Sequence, residues 1–183
     1  MTLRRERHLL KGPERRELTM TTVRIIGPGR AGLSFAAALT AVGVEVRGPL
    51  GRGDDVSPAA AGVGVLLLTV PDQEIAGVAL AVRPVRSTVV AHCSGALGLD
   101  VLAPHERVAA LHPLVTLPDP AVGAARLGSG CYFALAGDRA GQGEEQRHQE
   151  ATKTPPGKSH EHTFLPNWSG YSGRWVVYSF SGK

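Results

Sequence analysis

Six residues, Gly27-Pro28-Gly29-Arg30-Ala31-Gly32, limit what this chain can fold into more than any other stretch. A β-branched run, Val23-Arg24-Ile25-Ile26, precedes them and reads as a strand. An Ala-rich segment, 30–42, follows with apolar residues at helical spacing, and Gly43 can end that helix. A Gly-x-Gly-x-x-Gly pattern alone is weak, but between a strand and a helix each glycine has a physical task. Gly27 permits the tight turn, Gly29 lets the backbone approach a pyrophosphate where a Cβ would collide, and Gly32 lets helix and strand pack closely. The helix N-terminus then offers free N–H groups and its positive dipole end to anions. Pro28 has no N–H to give, while Arg30 adds a cation beside Ala31. The bland alternative is a structural glycine turn in a domain that binds nothing.

The residues after the turn repeat the theme. Segment 44–47 reads as a second strand stopped by Gly48-Pro49, and 51–61 is rich in turn formers. The continuous apolar run 63–70 suits a strand buried on both faces. A helix is expected over 72–82, with Asp72 as its N-cap. Further strands are expected over 88–91, 108–111 and 132–136. Strands alternating with helices imply a mostly parallel sheet covered on both faces. The fold class is therefore α/β: a Rossmann-type three-layer α-β-α domain over 20–138, followed by an irregular tail.

The two ends differ from this middle. Arg4, Arg5, Arg7, Lys11, Arg15 and Arg16 crowd the first sixteen residues of a chain whose net charge is +4. The positive charge thus describes a flexible arm over 1–19, or a start-site artefact before Met20, and argues against nucleic acid as a partner. The longest apolar run, 59–70, is about half a membrane span and is broken by glycines, so no membrane partner is expected. Two cysteines, Cys93 and Cys131, with no Cys-x-x-Cys spacing, fit a reducing cytoplasm. His160 and His162 read as solvated tail residues, so no metal is expected. Residues 139–162 are polar and include Pro155-Pro156. Six of the nine aromatic residues then fall in the last twenty positions. Segment 175–178 has strand character but no evident pairing partner.

Ligands of open α/β sheets gather beyond the carboxyl ends of the strands. Thr69, Val70 and Pro71 end the third strand there and would wall a nicotinamide ribose. Sites for NAD place an acid at the end of the second strand, and none stands there; Asp54 lies too far along. Arg52, and less so Arg47, can instead meet a 2′-phosphate. The cofactor expected is NADP, with NAD as the alternative. Ser94 and Gly95 follow the fourth strand and would line the substrate site. His92 and His112 sit at the ends of the fourth and fifth strands, where either can move a proton near neutral pH. The bland alternative for each is a ring bonded to loop backbone. Cys93 reads as a small apolar residue. Ser94 lacks the Gly-x-Ser-x-Gly surroundings of a hydrolase nucleophile.

The run from His92-Cys93-Ser94-Gly95 to Asp100-Val101-Leu102, then Leu111-His112-Pro113-Leu114, then Phe133-Ala134-Leu135-Ala136-Gly137-Asp138, resembles the two-domain Rossmann-like oxidoreductases that carry a domain of unknown function 2520. That group is similar in its first domain to pyrroline-5-carboxylate reductases, ketopantoate reductases and prephenate or β-hydroxyacid dehydrogenases. The resemblance spans about 22–138 and implies an NAD(P)-dependent oxidoreductase acting on a small carbonyl, imine or hydroxy-acid type of molecule. It also implies a following helical domain that closes the substrate site and supports dimers. Residues 139–183 show no matching helical pattern, so the sequence reads as truncated, frameshifted or replaced after Asp138. Three readings follow: an oxidoreductase domain with a small-molecule substrate, a binding module without turnover, and an interaction protein using its arm or tail. A homodimer is compatible with each.

Overall fold

The computed structural model describes residues 21–137 and the backbone of a strand at Val176–Ser179. The expectations for the arm over 1–19 and for the linker over 139–162 lie outside the described residues.

Seven strands form one sheet: β1 (Val23–Ile26), β2 (Val46–Leu50), β3 (Val65–Leu68), β4 (Val89–His92), β5 (Val108–Pro113), β6 (Tyr132–Gly137) and β7 (Val176–Ser179). Their order is β2-β1-β3-β4-β5-β6-β7. The first five run parallel, and β6 is antiparallel to β5. Three helices connect them: α1 (Arg30–Ala41), α2 (Asp72–Ala81) and α3 (Pro120–Gly128). A 3-10 turn spans Leu99–Leu102.

The period of two along each strand sorts side chains to the two faces. Val23, Ile25, Leu67 and Ala91 point to one side and pack with Phe35 of α1, Leu127 of α3 and Phe133. Ile26, Leu66, Leu68 and Val90 point to the other, against Ile75 and Ala79 of α2 and Leu102 of the 3-10 turn. Three layers result: α1 with α3, the sheet, and α2 with the 3-10 turn. This is the Rossmann-type α/β fold the alternating pattern implies.

Local details depart from the sequence expectations for identifiable reasons. Strand β2 is not stopped by Gly48-Pro49; it runs through both to Leu50. Pro49 cannot donate to a ladder, but β2 is an edge strand and tolerates it. Gly48 has φ +91°, and a Cβ there would lie 2.7 Å from the Ile25 carbonyl oxygen. The pairing of β1 with β2 shifts register between Arg24 and Ile26, which absorbs the irregularity. Asp72 does not cap α2. Pro71 holds the N-cap position, and Asp72 is the first helical residue. Gly43, at φ +85°, follows the C-cap of α1 and donates to Thr40, as a left-handed helix stop does.

One helix went unread in the sequence, and one strand was read without its partner. Helix α3 carries a start signal, Asp119 at the N-cap followed by Pro120. Strand β7 finds its partner in β6, to which it is antiparallel. It therefore runs in the same direction as β1–β5.

Candidate functional site

The order β2-β1-β3 makes the chain leave β1 and β3 toward opposite faces of the sheet. Such a switch point opens a crevice at the carboxyl ends of the two strands. The glycine turn borders that crevice, and its glycines are not equivalent. Gly27 is buried at φ +109°, and a Cβ on it would lie 2.8 Å from the Thr69 carbonyl carbon. A Cβ on Gly32 would overlap the Gly27 carbonyl oxygen and lie 2.6 Å from Thr69 Oγ1. Gly29 has nothing within 4 Å of the corresponding position. The first and third glycines are thus required by the fold itself, whereas the second faces open space.

Thr69 holds the turn from the β3 side. Its amide donates to the Ile26 carbonyl at 2.8 Å. Its hydroxyl lies 3.0 Å from that carbonyl and 2.9 Å from that of Gly27. From the β2 side, the Gly27 amide donates to Leu50 at 2.8 Å. A Cβ on Gly51 would sit 3.2 Å from Pro28 Cγ, so the loop after β2 rests on the turn. Turn, β2 loop and β3 end therefore form one assembly.

Helix α1 starts open. Gly29 is its N-cap, no side chain caps it, and its first turn holds no acid. The first helical bond runs from Leu33 N–H to Gly29 at 3.0 Å. The N–H groups of Arg30, Ala31 and Gly32 precede it and have no intrahelical acceptor. Helix α3 is the opposite: Asp119 Oδ1 accepts from Ala121 and Val122 at 3.0 and 2.9 Å. The two helices pack together so closely that a Cβ on Gly123 would overlap Ser34 Oγ. Helix α2 likewise starts without a side-chain cap, behind Pro71, so the open start of α1 is set apart by the glycine turn that precedes it. Pro28, Gly29 and Arg30 are exposed around that start.

The other candidates fall into two groups. Arg52 stands two residues beyond β2, its guanidinium 3.1 Å from Glu74 Oε1. Asp54 bends back, its Oδ2 accepting the Gly51 amide at 2.7 Å. Arg47 points elsewhere, bonding Glu45 at 2.9 Å and the Gly62 carbonyl at 3.3 Å. Val70 and Pro71 carry the chain from Thr69 into α2, with Pro71 exposed. Glu74, in the first turn of α2, was not singled out in the sequence, because its pairing with Arg52 joins two separate elements.

Beyond β4 the polar groups bond to one another. Ser94 Oγ donates to Asp72 Oδ2 at 2.8 Å and accepts from the amides of Ala96 and Leu97 at 3.1 and 3.2 Å. Its hydroxyl is committed to holding the loop against α2. His92 is fully buried, with Nε2 3.2 Å from the Gly98 carbonyl. A carbonyl only accepts, so Nε2 carries the proton, and Nδ1 is buried without a partner among the described residues. Burial lowers the pKa of His92, against the raising influence of Gly98, Asp72 and Asp100. The ring therefore does not reach a surface ligand. Cys93 keeps some exposure, yet burial around its thiol pushes its pKa up to about 12, so it stays protonated.

His112 differs. It is half-buried on β5, with Nδ1 3.0 Å from the Cys93 carbonyl. That bond places the proton on Nδ1 and leaves Nε2 an acceptor in the neutral ring. The ring packs against Gly95, where a Cβ would lie 2.8 Å from Nε2. Gly95 is thus the floor under His112. Among the described residues no cluster of three or more metal-ligating side chains occurs, and no helix is long and apolar enough to cross a membrane.

Comparison with known proteins agrees with the fold. A family described as Rossmann-like domain matches residues 52–118, a stretch that begins after the glycine turn. Among solved structures, 3-hydroxyisobutyrate dehydrogenase from Mycobacterium tuberculosis, with L-serine, is similar at 19% identity and a TM-score of 0.50, covering 70% of this chain and 50% of that one. A ketopantoate reductase from Ralstonia eutropha is similar at 22% identity and a TM-score of 0.43, covering 52% and 42%. Pyrroline carboxylate reductase from Plasmodium falciparum, with NADP bound, gives 11% and 0.41, covering 51% and 42%. The chain thus spans about half the length of these proteins or less. No curated protein matches it.

Proposed function

We propose that this chain holds a nicotinamide dinucleotide, NADP(H) in preference to NAD(H), as the binding domain of an oxidoreductase of the group carrying a domain of unknown function 2520. The observation that carries this is the open start of α1. Among the described residues its three N–H groups are unclaimed and the space over Gly29 is empty, while Gly27 and Gly32 are locked by Thr69. A pyrophosphate satisfies such donors and the helix dipole together.

When bound, the dinucleotide supplies hydride chemistry, here toward a small carbonyl, imine or hydroxy-acid type of molecule. Gly27, Pro28, Gly29, Arg30, Ala31 and Gly32 would seat the phosphates. Arg52 would meet a 2′-phosphate, and Thr69, Val70 and Pro71 would wall the far ribose. His112, whose Nδ1 is held on the Cys93 carbonyl, would use Nε2 to accept or return a proton at a substrate oxygen. Ser94 acts one step removed, fixing the loop that carries Gly95.

The test is thermal unfolding with each dinucleotide. A ligand at a hundred times its Kd adds about 2.7 kcal/mol to stability. NADPH is expected to raise Tm, and NADH to do so less. No shift with either at millimolar concentration would end this reading. A binding module without turnover is the second reading, and one observation favours it. Ser94 is consumed by internal bonds and His92 is fully buried, which leaves half-buried His112 as the one named catalytic candidate with any exposure. Stabilisation by NADPH without reduction of any member of a carbonyl and imine panel would select it.

A further inference from the structure

We infer that Glu74 sets how strongly this site prefers NADP(H) over NAD(H), by competing with the 2′-phosphate for Arg52. The inference rests on the dinucleotide reading above.

The backbone that carries Arg52 is fixed. Gly51 lies against Pro28 of the phosphate turn, and the Gly51 amide is held by Asp54. Arg52 is therefore anchored beside the turn, at the place after the second strand where this fold class reads the 2′ position of the adenosine ribose. Its side chain is 92% exposed and reaches Glu74, which lies in the first turn of α2. The helices α1 and α2 cover opposite faces of the sheet. The Arg52–Glu74 pair thus joins the β2 loop to the α2 start across the crevice at the carboxyl ends of β1 and β3.

The consequence is a matter of charge. A 2′-phosphate is an anion that pairs best with an unshared guanidinium. Glu74 both neutralises Arg52 and places a second negative charge within its reach. A 2′-hydroxyl has no charge to repel and can donate to the same carboxylate. Glu74 therefore weakens binding of the phosphorylated dinucleotide and leaves the other untouched or slightly helped. An exposed ion pair is worth up to about 1 kcal/mol, so this competition is worth about fivefold in affinity.

The experiment measures Kd for NADPH, NADH, 2′,5′-ADP and 5′-ADP on the full chain by calorimetry. The variants are Glu74→Gln, Arg52→Ala and the double variant. Glu74→Gln is expected to tighten NADPH and 2′,5′-ADP about fivefold while NADH and 5′-ADP move less than about twofold. Arg52→Ala should weaken the two 2′-phosphorylated ligands alone, and the gain from Glu74→Gln should shrink in its background. The gain should also fade as salt rises. A wild type that binds NADPH or NADH, with Glu74→Gln shifting all four ligands equally or none, overturns the role of Glu74 and leaves the dinucleotide reading standing. A wild type that binds none of the four removes both.

Discussion

Two segments leave the sheet at its carboxyl edge and treat their polar groups in opposite ways. Residues 27–32, after β1, keep three helix N–H groups unclaimed among the described residues and a glycine facing open space. Residues 93–98, after β4, spend theirs internally: Ser94 makes three hydrogen bonds, and the Cys93 and Gly98 carbonyls each take a histidine nitrogen. Unsatisfied groups are costly where water is excluded, so a fold leaves donors open only at a surface where water or a ligand replaces the partner. On the proposed reading, the first segment is arranged to receive a ligand. The second is arranged to hold itself, and with it Gly95 under His112.

The sharpest way to break this contrast is at the locked glycines. Gly32→Ala should cost about 3 kcal/mol or more, because its Cβ meets backbone that cannot yield. Urea unfolding measures it, and dinucleotide binding should disappear with the turn. Gly29→Ala should behave differently. Nothing lies near its Cβ, and its φ of −77° suits any residue, so stability should change by less than about 1 kcal/mol. Affinity for NADPH should nevertheless fall about tenfold or more, equivalent to about 1.4 kcal/mol. Equal effects of Gly29→Ala on both dinucleotides and none on 5′-ADP would show that the pyrophosphate does not approach this glycine.

Much of the first segment was legible in the sequence because a backbone constraint dictates residue type. Gly27 and Gly32 are glycine because a Cβ has nowhere to go, and the strand and helix around them follow from period and composition. The continuous apolar run 63–70, and the alternation of strands with helices, likewise foretold a sheet covered on both faces. The second segment was not legible. Whether His92 faces a ligand or the interior depends on the 3-10 turn folding back to offer the Gly98 carbonyl. No local pattern around His92 reports that. The commitment of Ser94 to Asp72 depends on α2 and the β4 loop meeting across 22 positions. Arg52 was visible, but its partner Glu74 belongs to another element and appears only once the switch point brings the two together.

Removing the bonds of the second segment should affect stability and not binding. Ser94→Ala strips partners from the amides of Ala96 and Leu97 and from Asp72. Ser94 is buried, so the cost should be about 1–2 kcal/mol by urea unfolding, with the Kd for 5′-ADP unchanged. A Ser94→Ala protein of full stability that loses affinity for a small substrate would instead return this hydroxyl to the ligand.

The smallest expected effect concerns His92 and pH. Burial lowers its pKa below the ordinary 6.5, so the unfolded chain takes up a proton more readily than the folded one. Stability linked to the neutral ring is therefore fully present above about pH 6.5, the unfolded value, and is lost as pH falls from there through the folded pKa. One proton limits the slope to about 1.4 kcal/mol per pH unit. Glutamine at this position can still donate to the Gly98 carbonyl but does not titrate. The slope of stability between pH 7.5 and about pH 5 should accordingly be shallower in His92→Gln than in the parent chain. The difference isolates His92 from Asp72 and Asp100, which remain in both. Identical slopes would mean that His92 takes its proton as easily inside the fold as outside it. The β4 loop would then be open to water, as the glycine turn is, and the contrast between the two segments would fail at its quieter end.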